Sequence, residues 1–238
     1  VISGKRNKYE LLDNLLSVYA EIFKKLEALG ATDIQLDEPI AILDLTQEEK
    51  DCLTKAYQDL STVSNLNIHL TTYFGDLRDN QETIYNLPVQ SIHLDAVRGA
   101  ESINAAIAAF PKDKQLSIGV VNGRNIWIND FQQSNAVIQT AIQACGEENV
   151  IIASSCSLLH SPVSLESETS LNTEIKQWLS FATEKLTELE SLSKIAANQG
   201  AELLAKNQAL IEKRSTSSLI HNQAVKDRVS AIKTDDFE

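Results

Sequence analysis

Five short apolar runs alternate with segments of helical periodicity, and this alternation restricts the fold more than any other feature of the sequence. Apolar residues recur at i, i+3, i+4 and i+7 over residues 8–29, which predicts an amphipathic helix that stops at Gly30. Thr46 and Glu49 form a capping box that predicts a second helix reaching residue 60. Further helices are expected near residues 80–87, 100–110 and 130–145.

The runs between these helices predict strands over residues 33–39, 67–74, 91–97, 115–121 and 150–156. Each run is interpreted as mostly apolar on both faces, which is typical of buried parallel strands. Helices and strands that alternate at this spacing predict an α/β fold with a parallel sheet.

The pattern changes after residue 163, and three segments are predicted: βα units over 1–163, a helical segment over 164–214, and a linker or mobile tail over 215–238. One helix is expected over 164–190 and a second over 195–213, with a weak helix at 224–232 in the tail. The apolar stripe of the first of these helices is expected at Ile175, Leu179, Leu186 and Leu189.

Charge and cysteine content exclude several classes of function. The formal net charge of −12 disfavours nucleic acid and anionic membrane surfaces as partners, and no apolar run approaches the roughly 18 residues of a membrane span. Cys52, Cys145 and Cys156 form no CxxC pair, which indicates a reducing compartment and a cytoplasmic location. Because the chain contains no methionine, even at position 1, we expect it to be a segment of a longer protein.

Polar residues follow each predicted strand, where ligands bind in parallel α/β folds because loops and helix starts converge there. Residues of this kind also cap helices and satisfy loop amides, so either role remains open. They are Asp37 and Glu38, residues 71–73, Asp95 and Arg98, residues 122–125, and residues 154–160.

Cys156 and His160 could form a nucleophile and its base, and such a hydrolase would lose activity in Cys156→Ala. No oxyanion-hole signature accompanies them, and a cysteine at a strand end is more often a packing residue. None of the four histidines forms an HxH or HExxH pair, so no intrinsic metal site is expected. His69 and His93 fall within strands and are expected to be satisfied core groups.

Five linked motifs are found at residues 35–39 (QLDEP), 70–75 (LTTYFG), 93–99 (HLDAVRG), 119–127 (GVVNGRNIW) and 154–163 (SSCSLLHSPV). In this order and spacing they resemble the N-terminal half of cobalamin-independent methionine synthases. The resemblance continues through residues 173–189, so it covers nearly the whole chain.

This resemblance implies a fold and a division of labour. The family is built from two eight-stranded (β/α) barrels, and the second barrel holds zinc, homocysteine and the reacting end of the folate. The present segment resembles strands four to eight of the first barrel and the start of the interdomain connection. A partial TIM-type barrel with about five parallel strands, followed by long C-terminal helices, is therefore expected.

The same resemblance implies roles for individual residues. Thr71 and Tyr73 match the positions of a His-x-Cys zinc pair in the catalytic barrel, and neither can replace those ligands, so no zinc ligand is expected here. Asp37 matches an aspartate that holds the substrate amine, and His160 matches a proton-donating histidine. Both are interpreted as remnants, and Asp37, Asp95 and Arg124 remain candidates for substrate binding.

The main hypothesis is that the segment is scaffold, and one wall of the folate cleft, in an enzyme that transfers a methyl group from 5-methyltetrahydropteroyltriglutamate to homocysteine. That enzyme needs zinc and the C-terminal catalytic barrel but no cobalamin, and the segment alone is expected to be inactive. The alternative is a free-standing, non-catalytic domain of the same family that binds folate or a partner protein.

Overall fold

The computed structural model describes residues 7–233 and divides the chain into two compact units. The first extends through Gly123 and includes Ala136–Ser157, and the second comprises Arg124–Asn135 and the chain from Leu158 onward. The predicted boundaries at residues 163 and 214 are divisions along the chain and remain a prediction.

The first unit contains a parallel sheet whose strands follow chain order, β1 to β5. The strands are β1 (Asp33–Asp37), β2 (Asn67–Thr71), β3 (Ser91–Asp95), β4 (Gln115–Val121) and β5 (Val150–Ser154). Every neighbouring pair is parallel, and β4 shifts its register against β5 between Gly119 and Val121. A sequential parallel order is that of a β/α barrel, whereas doubly wound sheets reverse their order at a switch point.

Nine α-helices lie in the described part of the chain, most of them close to their predicted positions. They are α1 (Leu12–Ala28), α2 (Gln47–Leu60), α3 (Gln81–Tyr85), α4 (Ile103–Ala108), α5 (Phe131–Cys145), α6 (Thr173–Lys176), α7 (Ala182–Ala196), α8 (Ala201–Thr216) and α9 (Gln223–Ala231). The capping box of α2 is confirmed, since the Thr46 side chain accepts the N–H of Glu49 and the Glu49 carboxylate accepts that of Thr46. Gly30 has φ +93° and follows α1 directly after its C-cap, as predicted. No helix within residues 7–233 is long and apolar enough to cross a membrane.

β1 to β4 carry polar residues on one face, so the prediction of apolar residues on both faces is wrong for them, whereas Ile151 and Ala153 keep the same face of β5 apolar, as predicted. Residues that pair in register lie on the same side of a sheet, and alternate positions point to opposite sides. One face carries Asp33, Gln35, Asp37, Asn67, His69, Thr71, Ser91, His93, Asp95, Gln115, Ser117 and Gly119. Cross-strand hydrogen bonds satisfy this face: the His69 ring lies 2.6 Å from Ser91 Oγ and 2.8 Å from Asp33 Oδ1.

The predicted helix over residues 164–190 is wrong, because an extended segment interrupts it. Leu179 forms an antiparallel bridge with Trp127. The N–H of Ile128 donates to the carbonyl of Trp178 at 2.9 Å, and the N–H of Ser180 donates to that of Ile126 at 2.8 Å. These pairings replace helical hydrogen bonds, and the bridge closes a small apolar core of Leu165, Leu179 and Phe181 with Ile175 packed against it.

The two long helices that follow, α7 and α8, confirm the expected C-terminal helices. The weak helix predicted in the tail is also present as α9, and its residues are exposed.

Candidate functional site

The carboxyl ends of the strands in the first unit carry most of the predicted site residues. Asp37 ends β1 with an exposed carboxylate. Its Oδ1 accepts a hydrogen bond from Gln35 Nε2 at 2.8 Å, and its Oδ2 accepts one from the Tyr73 hydroxyl at 3.3 Å. Burial and the Asp37 charge raise the pKa of Tyr73, which keeps this hydroxyl protonated and able to donate. Asp37 and Tyr73 thus form an accessible polar pair at this edge.

Glu38, the next residue, turns into the protein instead. Its Oε1 accepts a hydrogen bond from the Tyr57 hydroxyl of α2 at 3.0 Å. Burial raises the pKa of Glu38, and burial together with the Glu38 charge raises that of Tyr57. The sequence gives no signal for this pair, because Tyr57 looks like an ordinary apolar position of an amphipathic helix.

Asp95 is buried at the end of β3, and the backbone occupies both of its oxygens. Oδ1 accepts the N–H groups of Val97 and Arg98, each at 2.9 Å, and Oδ2 accepts that of Phe74 at 2.9 Å. Phe74 has φ 78°, a left-handed conformation that is rare for a bulky residue, and the Asp95 bond holds it there. These contacts account for the burial of Asp95 without a ligand.

The same contacts explain why the predictions for β2 and β3, over 67–74 and 91–97, extend too far at their carboxyl ends, whereas the prediction for β4 ends at Val121 as observed. The N–H groups of Phe74, Val97 and Arg98 bind the Asp95 side chain, so they are not available to a strand ladder. Thr72 lies in the same turn, and its hydroxyl donates to the carbonyl of His93 at 2.6 Å.

His93 is a buried core group, as predicted. Its Nδ1 lies 2.9 Å from Ser117 Oγ, and its Nε2 lies 3.5 Å from the carbonyl oxygen of Ser155. A Cβ at Gly119 would lie 2.8 Å from the ring and 2.7 Å from the Cα of Ser155, so only glycine leaves room for this histidine. Burial lowers the pKa of His93, which favours the neutral ring.

Cys156 is buried behind Gly123. A Cβ at Gly123 would lie 2.8 Å from the Cys156 carbonyl oxygen and 2.9 Å from its sulfur, while the Gly123 N–H donates to Ser155 Oγ at 3.2 Å. The thiol donates to the carbonyl of Ser157 at 3.8 Å. This packing gives Cys156 a structural role, and the hydrolase hypothesis gains no support from it.

Three other predicted residues, Arg124, Asn125 and His160, belong to the second unit. Arg124 and His160 are exposed. Asn125 Oδ1 accepts a hydrogen bond from Lys185 Nζ at 3.1 Å, and the same ammonium donates to the carbonyl of Trp127 at 3.1 Å. Lys185 is buried on α7, and burial lowers its pKa. Sequence reasoning missed Lys185, because a charged residue in an amphipathic helix is normally assigned to the solvent face.

The residues of this chain do not fit the zinc site that the resemblance implies for the family. Within residues 7–233, no three His, Cys, Asp or Glu side chains lie together as a group that could hold a metal ion. Thr71 and Tyr73, at the positions that match the family's His-x-Cys pair, lack the imidazole and thiolate groups that zinc prefers.

A parallel sheet in sequential order, with polar groups at its carboxyl edge, defines an α/β protein of the β/α-barrel class. Residues 2–146 match a family model described as the N-terminal domain of cobalamin-independent synthase. The chain therefore belongs to this family.

Curated relatives extend the match beyond residue 146. The 5-methyltetrahydropteroyltriglutamate–homocysteine methyltransferase of Saccharomyces cerevisiae is 44% identical over 93% of this chain and 29% of its own length. The probable enzyme of the same name from Schizosaccharomyces pombe is 46% identical over 94% of this chain and 29% of its own. The chain thus spans less than a third of the length of these relatives.

Solved structures support the fold. A B12-independent methionine synthase from Shewanella sp. W3-18-1, in complex with selenomethionine, matches with a TM-score of 0.54 at 15% identity. The match covers 87% of this chain and 58% of that chain. A putative vitamin-B12 independent methionine synthase from Listeria monocytogenes gives a TM-score of 0.53 over 79% of this chain. The expected partial barrel of five parallel strands with C-terminal helices is thereby confirmed.

Proposed function

We propose that the chain is part of an enzyme that transfers the methyl group of 5-methyltetrahydropteroyltriglutamate to homocysteine. The observation that carries this proposal is the 44% identity to the yeast methyltransferase over 93% of the chain, which includes both compact units. In this transfer the bond between the methyl carbon and the folate nitrogen breaks as a bond to the homocysteine sulfur forms, and the proton that the thiol loses replaces the methyl group on that nitrogen.

Within that enzyme, we assign this segment to the scaffold and to one wall of the folate cleft. The geometry favours a scaffold role because His93 and Asp95, which are buried on β3, use their polar atoms in hydrogen bonds to other residues of the same unit. Asp37 and Tyr73 differ from them, since both are accessible to a molecule that lies against the edge. Their role in this chain is to orient a ligand by hydrogen bonds, and the reacting atoms lie elsewhere.

The remaining parts of the reaction are assigned outside the chain. The zinc ion, the homocysteine site and the C-terminal catalytic barrel belong to the rest of such a protein, which needs no cobalamin. Arg124 and His160 remain candidates for contact with the folate and for a vestigial proton donor, respectively. We also propose a cytoplasmic location, which is supported by three cysteines that form no CxxC pair.

The proposal is tested by assaying the isolated chain for methyl transfer from the methylated folate to homocysteine with zinc present. We expect no turnover above the rate without protein, because residues 7–233 contain no group of three His, Cys, Asp or Glu side chains that could hold the zinc ion. Robust turnover by the purified chain would overturn the scaffold assignment. Folate binding without turnover, in a protein that ends where this chain ends, would favour the non-catalytic binding domain instead.

A further inference from the structure

The turn after β2 is strained at a bulky residue, although a glycine lies next to it. Phe74 has φ 78°, a left-handed conformation that is unfavourable for a residue of this size. Gly75 follows directly, and its φ lies outside the left-handed region. Strain of this kind persists only where the surrounding structure requires it, and it is found often at functional sites. The placement therefore indicates that the side chain of Phe74 is needed in the turn.

Strand β3 holds the backbone on both sides of Tyr73. Asp95 Oδ2 accepts the N–H of Phe74 at 2.9 Å. On the other side, the hydroxyl and the N–H of Thr72 both donate to the carbonyl of His93, at 2.6 Å and 3.4 Å. The residues before and after Tyr73 are thus bound to the neighbouring strand, which fixes the direction in which the Tyr73 side chain leaves the backbone.

The ring of Phe74 restricts the side chain of Tyr73 further. The two ring centroids lie 4.6 Å apart and the ring planes meet at 79°, which is the edge-to-face arrangement that aromatic pairs prefer. In this orientation the Tyr73 hydroxyl donates to Asp37 Oδ2, at the end of β1, at 3.3 Å. Without the ring, other rotamers would become available to Tyr73.

The same turn is fixed to the loop that follows β1. Arg78 Nη2 donates to the carbonyl of Ile42, and Asn80 Nδ2 donates to the carbonyl of Leu43, each at 2.6 Å. These bonds hold the two loops together at points away from Tyr73. The distance between the Tyr73 hydroxyl and the end of β1 is therefore set by the conformation of the turn itself.

We propose that Phe74 is a positioning residue for the Asp37–Tyr73 pair. Its left-handed backbone, which Asp95 holds, turns Tyr73 toward β1, and its ring keeps the Tyr73 hydroxyl within hydrogen-bond distance of Asp37. The pair is thereby presented to a ligand in one orientation. That this ligand is the folate rests on the proposed function, whereas the positioning does not.

The test is fluorine NMR spectroscopy of the full chain labelled with meta-fluorotyrosine, in which the resonance lost in Tyr73→Phe identifies Tyr73. A pH titration of this resonance measures the pKa of the Tyr73 hydroxyl, which burial and the Asp37 charge raise. Asp37→Asn should lower this pKa by removing the charge. Phe74→Gly adopts φ 78° without strain and keeps the N–H for Asp95, so it removes only the ring. We expect it to lower the pKa at least as much as Asp37→Asn does.

Asn198→Gly is the matched control, because Asn198 is also left-handed, with φ 60°, but lies in the second unit. It should leave the Tyr73 pKa unchanged. Circular dichroism checks that each variant is folded. Should Phe74→Gly fail to fold, Phe74→Asn replaces it, since asparagine tolerates the left-handed conformation and lacks the ring. A wild-type Tyr73 pKa in the folded Phe74 variant, or in Asp37→Asn, would overturn the proposal.

The role of the pair in folate binding is measured separately, in the Saccharomyces cerevisiae relative with this chain in place of the aligned segment. Loss of an interaction that holds substrate and transition state equally raises KM and leaves kcat unchanged, so Phe74→Gly should raise the KM for the methylated folate at least about threefold. An unchanged KM together with a lowered Tyr73 pKa would refute the folate assignment and support the positioning.

Discussion

Asp95 in the sheet unit and Glu188 in the helical unit are both buried carboxylates, but they differ in how their oxygens are used. Three backbone N–H groups bind the two oxygens of Asp95. Glu188 accepts one backbone N–H, that of Asn129, and burial raises its pKa although the nearby Ser180 hydroxyl and Lys185 charge favour the ionised form. Three backbone N–H groups therefore hold Asp95 as part of the architecture of the sheet unit, whereas Glu188 depends on one N–H group and on neighbouring side chains.

The largest expected effect is that of Asp95→Ala. This change leaves three backbone N–H groups without their acceptor, and each buried unsatisfied donor costs about 1–3 kcal/mol. We expect the free energy of unfolding to fall by about 3–5 kcal/mol, as measured by urea denaturation. A loss below about 1 kcal/mol would mean that Asp95 is not structural, and the contrast with Glu188 would disappear.

A second prediction concerns the close approach of Gly119 and His93. Gly119→Ala places a methyl group 2.8 Å from the His93 ring and 2.7 Å from the backbone of Ser155. Overpacking of this kind costs about 1–3 kcal/mol. The matched control is Gly30→Ala, which meets no atom within 4 Å and is strained only by its φ of +93°. If thermal unfolding shows a smaller loss for Gly119→Ala than for the control, the tight packing around His93 is wrong.

Glu188→Gln should have a smaller effect on stability than the corresponding change at Asp95. The amide oxygen still accepts the Asn129 N–H, and the new NH₂ group removes a buried charge, so we expect a change within about 1 kcal/mol. Asp95→Asn should cost more, because its NH₂ group must face an N–H of the backbone. Urea denaturation of the two variants measures both losses in the free energy of unfolding, and equal losses would contradict the distinction between Asp95 and Glu188.

The smallest expected effect is a pH dependence at the edge of the sheet. Burial raises the pKa of Glu38 above 4.5. The contribution of Glu38 to the free energy of unfolding is therefore most favourable below that pH and declines as pH rises through its folded-state pKa. Glu38→Gln keeps an acceptor for Tyr57 and should be the more stable protein at pH 7, with the gain lost at pH 4.

Asp33, on β1, should give a pH dependence of stability with the opposite sign to that of Glu38. Bonds from Thr32, His69 and Asn67 lower the pKa of Asp33 to about 2, from 3.8. The contribution of Asp33 to the free energy of unfolding is present above pH 3.8 and is lost as pH falls through about 2. Asp33→Asn should therefore flatten the acid limb of the stability curve, and a steeper limb in this variant would refute the assignment.

Local signals in the sequence predicted most of the fold. The capping box at Thr46 and the helix stop at Gly30 act within a few residues, and both are present in the structure. The strands begin where their apolar runs begin. The end of β4 was also predicted correctly, at Val121, but that of β2 was not, because the Asp95 side chain, 21 residues further along the chain, takes the backbone N–H of Phe74.

Long-range pairing also explains the errors in the helical unit. The bridge between Trp127 and Leu179 breaks the predicted helix, and no periodicity within residues 164–190 reveals it. The predicted stripe is wrong at Leu186, which is 58% exposed, whereas Lys185 is only 1% exposed. Lys185 is turned inward by its bonds to Asn125 and Trp127, so the polar side of α7 contributes to the core.

The candidate site was predictable as a location but not in its details. Strand ends in a parallel sheet pointed to Asp37 and Asp95, and both residues lie at the carboxyl ends of their strands. Sequence alone could not distinguish an accessible carboxylate from a saturated one, because that difference depends on which backbone groups the fold brings near. Glu188 gave no signal, since a glutamate on an amphipathic helix is normally exposed.

The most direct test of the account is a chimera of the Saccharomyces cerevisiae relative in which this chain replaces the aligned segment, a region of 44% identity. Methyl transfer to homocysteine is measured as kcat/KM beside the parent enzyme and beside a version that lacks the segment. We expect a folded chimera to retain activity within about tenfold of the parent, a difference of about 1.4 kcal/mol in transition-state stabilisation. A folded chimera as inactive as the version without the segment would contradict the proposed role.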